Sequence, residues 1–175
     1  MNTGLIADRY AEALENYARE LGAGEALYAD AGRLISALKL VRRASEADRQ
    51  QALLTEAVCA LGEPMQRFVE VVVRNGRASF LDLILNDYVR RYRRSEGIAQ
   101  AHLVTASAEG QQALCDRLQA LLLEHGYRKV EFDLRTDDSL IGGYRLRVQD
   151  TMLDASLSTQ LKALRRELTE KNHQL

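Results

Sequence analysis

At 175 residues the chain has room for one or two domains. Hydrophobic residues make up 46% and charged residues 28%, as in ordinary soluble globular proteins; 24 basic against 25 acidic side chains leave a net charge of −1, which argues against a whole-chain electrostatic grip on nucleic acid or anionic lipid. The single proline leaves few obligatory breaks, so long helices are expected.

Through about residue 97 the apolar period is helical. Ile6, Tyr10, Ala13, Leu14, Tyr17 and Leu21 recur at three- and four-residue steps until Gly22 and Gly24 interrupt. Leu27, Ala31, Leu34, Ile35 and Leu38 form a second stripe that ends at Arg42-Arg43. Ser45 to Asp48 resembles an N-terminal cap for a third helix carrying Leu53, Leu54, Ala57, Val58 and Leu61, which Gly62 closes. Pro64 suits a first helical turn, and Met65, Phe68, Val69, Val72 and Val73 follow it as far as Asn75-Gly76. A long helix with Phe80, Leu81, Ile84, Leu85 and Tyr88 then runs through Arg94. The fold class expected is mainly α, with an N-terminal six-helix bundle over residues 1–97.

Beyond Gly97 the pattern changes. Ile98 to Val104 reads as a strand, Glu109 to His125 as an amphipathic helix stopped by Gly126, and Val130 to Leu134 as a half-buried strand. Tyr144 to Val148 alternates again, Gln149-Asp150 is a tight turn into Met152-Leu153, and a last helix from Ser156 carries Leu157, Leu161, Leu164 and Leu168. Residues 98–175 are therefore expected to form a small β-α-β-β-α domain.

The residues offer little chemistry. Cys59 and Cys115 are far apart among apolar neighbours, which predicts buried free thiols in a reducing cytosol. His102, His125 and His173 lack metal-ligand spacing, and no phosphate-binding loop or nucleophile elbow occurs. Ile141-Gly142-Gly143 precedes a strand and predicts a tight hairpin or bulge; Asp137-Asp138 predicts a capped turn. No catalytic, cofactor or metal site is expected. The absence of an apolar span or signal core predicts a cytoplasmic protein, most simply bacterial. The sharpest charge cluster, Arg90 to Arg94 with Tyr88 and Tyr92, supports an alternative reading as a helical adaptor or RNA-binding regulator.

Three ordered segments carry a family resemblance. Arg9-Tyr10-Ala11-Glu12-Ala13-Leu14 is similar to an "RYA-AL" opening, and Arg74-Asn75-Gly76-Arg77 through Leu81 to an "ENGR…L" junction. Ser139-Leu140-Ile141-Gly142-Gly143 with Arg147, Asp150, Leu153-Asp154, Ser156, Leu161 and Leu164 resembles "LIGG…IR.GD.V.DGS…L..L" without a gap. Together they resemble the delta subunit of bacterial F-type ATP synthase, the family of the mitochondrial oligomycin-sensitivity-conferring protein. Gln149 and Ala155 stand where that family has glycine, which predicts another turn geometry, and Ser158-Thr159 replaces a usual basic residue.

The resemblance implies a non-catalytic stator subunit, present once in a hetero-oligomer on the cytoplasmic face of the bacterial inner membrane without entering it. It would join the catalytic head to the peripheral stalk so that the head does not turn with the rotor. The helical domain would receive the N-terminal helix of an alpha subunit between Ile6, Tyr10, Ala13 and Tyr17 on one wall and Phe68, Val69 and Val72 on the other. The C-terminal domain would meet the b subunits through Gly142, Gly143, Asp154, Leu157, Leu161 and Leu164.

Overall fold

In the first helix, α1 (Thr3–Glu20), the inward-facing residues are Ala7, Ala11, Leu14 and Ala18, all buried at three- and four-residue steps. Three of the four are alanine, so a neighbouring helix can come close. That neighbour is α5 (Leu81–Ser95), whose Leu81, Ile84, Leu85, Tyr88 and Val89 are buried in the same core. The computed structural model describes residues 3–43, 47–162 and 165, and the chain separates after Ser95 into two compact units.

Between α1 and α5 the first unit contains α2 (Gly24–Arg43), α3 (Ala47–Cys59), α4 (Glu63–Arg74) and a 3-10 turn, Ala78–Phe80. Leu27, Ala31 and Leu34 come from α2, and Met65, Phe68, Val69 and Val72 from α4. Tyr88 is fully buried, with its hydroxyl 3.4 Å from the Gly24 carbonyl, and burial pushes that hydroxyl's pKa far up. Asp30 is buried on α2, where its Oδ2 accepts the Gly62 N–H at 2.8 Å and its Oδ1 accepts from Arg33 at 3.2 Å. Gly62 is the N-cap of α4, with Pro64 in the first turn, so this carboxylate fixes where α4 begins against α2. Asp30→Ala is expected to cost about 1–3 kcal/mol, because the Gly62 N–H loses its acceptor; urea unfolding of the full chain checks this.

The second unit is a four-stranded sheet in the order β2-β1-β3-β4. β1 (Ile98–Thr105) and β2 (Lys129–Thr136) are parallel, as their connection through α6 (Gln111–Glu124) requires. β3 (Tyr144–Val148) runs antiparallel to β1, and β4 (Thr151–Asp154) antiparallel to β3. Ala101 opposite Val148 and Leu103 opposite Leu146 form one sheet face, which shares a core with Cys115, Leu118 and Leu122 of α6. Residues 157–162 are helical.

Mainly helical with a small mixed sheet is the architecture observed. Where six helices are expected in the first unit, its described residues form five α-helices and the 3-10 turn. The turn takes up Phe80, so the last helix starts at Leu81. Where three strands are expected in the second unit there are four, because Thr151–Asp154 pairs along β3. Cys59 is exposed and only Cys115 is buried; Cys59 lies at the C-terminal end of α3, outside the core stripe. Gly62 opens α4 rather than closing α3. The cap predicted at Ser45 lies outside the described residues.

Candidate protein-binding interface

Two apolar stripes run along α1. Ala7, Ala11, Leu14 and Ala18 complete the core, while Ile6, Tyr10 and Tyr17 are half-buried beside it and Ala13 is exposed. Tyr10 and Tyr17 pack against the core edge. Phe68, Val69 and Val72, expected as an opposing wall, sit on α4 with exposures of 9%, 6% and 0%. They belong to the core floor and present almost no surface of their own. A separate cleft of about 670 Å³ between α1 and α5 is lined by Gly4, Leu5, Ala7, Asp8, Leu83, Asn86, Asp87 and Arg90. None of the seven groove residues named from the sequence lines it.

Two of the sequence motifs meet in space. The Tyr10 hydroxyl accepts a hydrogen bond from Asn75 Nδ2 at 3.1 Å and another from Arg77 Nη1 at 2.5 Å. The Arg77 guanidinium also lies 5.1 Å from the Tyr10 ring centroid. The helix ending explains why this junction reads Asn-Gly-Arg. Asn75 is the C-cap of α4, the Gly76 N–H bonds the Val73 carbonyl and the Arg77 N–H bonds the Val72 carbonyl. Those are the two hydrogen bonds of a Schellman ending, which needs a left-handed residue at Gly76, here at φ +68°.

The arginine cluster on α5 is largely engaged inside its own unit. Arg90 pairs with Asp87, Arg91 with Asp8 and, at 3.7 Å, with Glu15, and Arg93 donates to the Tyr28 hydroxyl at 2.8 Å. Tyr92 stacks on Tyr28 with ring centroids 4.6 Å apart. This arrangement ties α5 to α1 and α2.

In the second unit, Gly142 and Gly143 answer to packing. A Cβ at Gly142 would lie 2.5 Å from Leu157 Cδ1, and one at Gly143 would lie 2.2 Å from the Ala155 carbonyl oxygen. The Ala155 N–H bonds the Tyr144 carbonyl and the Leu157 N–H bonds the Gly142 carbonyl, so the closing helix begins directly against this loop. Asp154 and Ser156 start that helix. Asp154 accepts the Ser156 N–H at 2.9 Å and the Thr159 hydroxyl at 3.0 Å, and the fully buried Ser156 caps the Thr159 N–H at 3.3 Å. Leu157 and Leu161 are 44% and 56% exposed and Ile141 is 73% exposed, so apolar surface does face outward here. Leu164 lies outside the described residues.

The bonds from Ser156, its side chain and N–H, hold the Asp154 carboxyl at a pKa of about 2, well below the usual value. A depressed carboxylate contributes stability that is complete above its unfolded pKa of about 4 and is lost as pH falls through the folded value. Hydrogen-exchange protection at the Thr159 amide is therefore expected to fall between pH about 4 and about 2, and Asp154→Asn to remove that dependence.

Gln149, expected to force a different turn, adopts φ 52°, the left-handed conformation glycine would take. With Val148 opposite Thr151, the hairpin loop is the two residues Gln149-Asp150, and the primed turns that fit such loops require a positive φ at the first. The register imposes the conformation on glutamine. Asp137 Oδ1 accepts the Ser139 N–H at 3.0 Å, the turn its position predicts.

A sequence profile described as the ATP synthase delta (OSCP) subunit matches residues 6–168. The chain belongs to this family. The ATP synthase subunit delta of Phocaeicola vulgatus is 30% identical over the full length of both chains. That of Bordetella avium is 33% identical over 91% of this chain and 94% of its own. A chain in the cryo-EM structure of the Toxoplasma gondii mitochondrial ATP synthase hexamer shares the fold at 20% identity, with a TM-score of 0.65 over 93% of this chain and 97% of that one. As a delta-family member the protein is a non-catalytic subunit of the peripheral stalk of an F-type ATP synthase. No helix among the described residues is long and apolar enough to cross a membrane, as fits a peripheral subunit of a membrane complex.

Proposed function

We propose that the helical unit captures the amphipathic N-terminal helix of an alpha subunit of the catalytic head, along the α1–α4 side. The observation that carries this reading is the second stripe of α1. Ile6, Tyr10, Ala13 and Tyr17 repeat at helical steps, yet the core is complete with Ala7, Ala11, Leu14 and Ala18. An apolar stripe left partly outside a completed core is what helix-in-groove recognition uses, with Phe68, Val69 and Val72 backing it from within the core. The sheet unit would hold the b subunits through the outward surfaces of Leu157 and Leu161, with Leu164 as a further contact. In that role Gly142, Gly143 and Asp154 shape the surface without supplying its area. The subunit would sit at the cytoplasmic face of a bacterial inner membrane, one copy per complex, and hold the head against rotor torque.

Removing the N-terminal helix from the alpha subunit is expected to release this protein from a purified catalytic head in a pull-down. Retention at full stoichiometry would overturn the assignment of the helical unit.

A further inference from the structure

Resting on the α1–α4 docking just proposed, we infer that Asn75 and Arg77 are positioning residues for that surface. They clamp Tyr10 so that its ring is presented at a fixed angle to the incoming helix. Tyr10 is the bulkiest residue near the middle of the second α1 stripe, and only part of its ring is covered by the core. An aromatic side chain at such an edge has two torsions to fix, and fixing them before binding removes that cost from association. The Asn-Gly-Arg junction supplies the fixing groups from the end of α4. Its Schellman geometry turns the chain back so that the C-cap amide and the guanidinium two residues on converge on one hydroxyl. The guanidinium contributes twice, as a donor to the hydroxyl and as a cation over the ring. Because the clamp joins α1 to the end of α4, it also sets the spacing of the two elements that would flank the docked helix.

The test measures the affinity of the full-length chain for a synthetic peptide of the alpha-subunit N-terminal helix, by calorimetry. Arg77→Met and Tyr10→Phe are each expected to weaken binding about tenfold while the thermal midpoint falls by only a few degrees. The double variant should lose clearly less than the product of the two single losses, since the hydroxyl–guanidinium bond is common to both. Arg77→Lys should recover part of the loss, and the ring-carbon resonance of ζ-carbon-labelled Tyr10 should shift in Arg77→Met before any peptide is added. Affinity within twofold of the unaltered chain in Arg77→Met, or losses that multiply in the double variant, would overturn the clamp while leaving the docking intact. No binding by the unaltered chain would overturn both.

Discussion

Gly143→Ala is expected to strip the sheet unit of most of its stability. At φ +80° an alanine meets the left-handed penalty, about 1–2 kcal/mol. Its Cβ would also lie 2.2 Å from the Ala155 carbonyl oxygen and 3.0 Å from Ser156 Cα, and both are backbone. Neither can swing aside as a side chain would. The Tyr144–Ala155 bond that closes the β3–β4 ladder must open, and the Asp154-Ser156 cap moves with it. A combined cost of about 3–5 kcal/mol stands at the large end of single substitutions and compares with the whole stability of a small domain. Gly142→Ala is the graded control, because its Cβ meets the terminal methyl of Leu157, which can rotate away; about 1 kcal/mol is expected. Limited proteolysis of the two full-length variants decides the matter. Gly143→Ala should be cut throughout the sheet unit while the helical unit persists, and equal resistance in both variants would refute the steric account.

Tyr10→Asp is expected to weaken capture of the alpha-subunit peptide by at least a hundredfold. Truncating a central aromatic at an interface typically costs about 2 kcal/mol or more. The carboxylate that replaces it would be drawn to Arg77 and would have to be desolvated beneath an apolar helix face. The helical unit should still fold, since Tyr10 lies at the rim of a core completed by Ala7, Ala11, Leu14 and Ala18. Calorimetry with unchanged affinity, or far-ultraviolet circular dichroism showing lost helix, would each contradict this expectation.

Much of the architecture could be read from residue spacing. Met65, Phe68, Val69 and Val72 form a strong stripe, and all four are buried. On α1 spacing alone mixes two faces. Ile6, Tyr10, Leu14 and Tyr17 dominate the apolar signal, whereas the core takes Leu14 together with three alanines whose small side chains weigh little in any periodicity. Ile6, Tyr10 and Tyr17 are left half-buried at the rim of that core, on the stripe proposed above to meet a partner. β4 escaped as a strand because it is mostly exposed and carries no apolar alternation; pairing with β3 alone makes it one. The Asn75-Gly76-Arg77 junction was visible as a motif, but its meaning was not. The link to Tyr10 spans 65 and 67 residues, and only the folded chain brings them within hydrogen-bond distance. Likewise the Gly142-Gly143 pair reads as a turn, while the steric demand on it comes from Ala155 and Leu157, beyond the next two strands.

The alanine seam of α1 also bears on how such a subunit transmits load. Long side chains at a helix interface can change rotamer under a sustained pull and so let two backbones creep past each other. Ala7, Ala11 and Ala18 have no side-chain torsion to surrender. A pull on α1 therefore reaches the side chains of α5 that face this seam with little slack on the α1 side. In a part whose task is to stay still while a rotor turns, low compliance along that seam has a mechanical value separate from its contribution to folding.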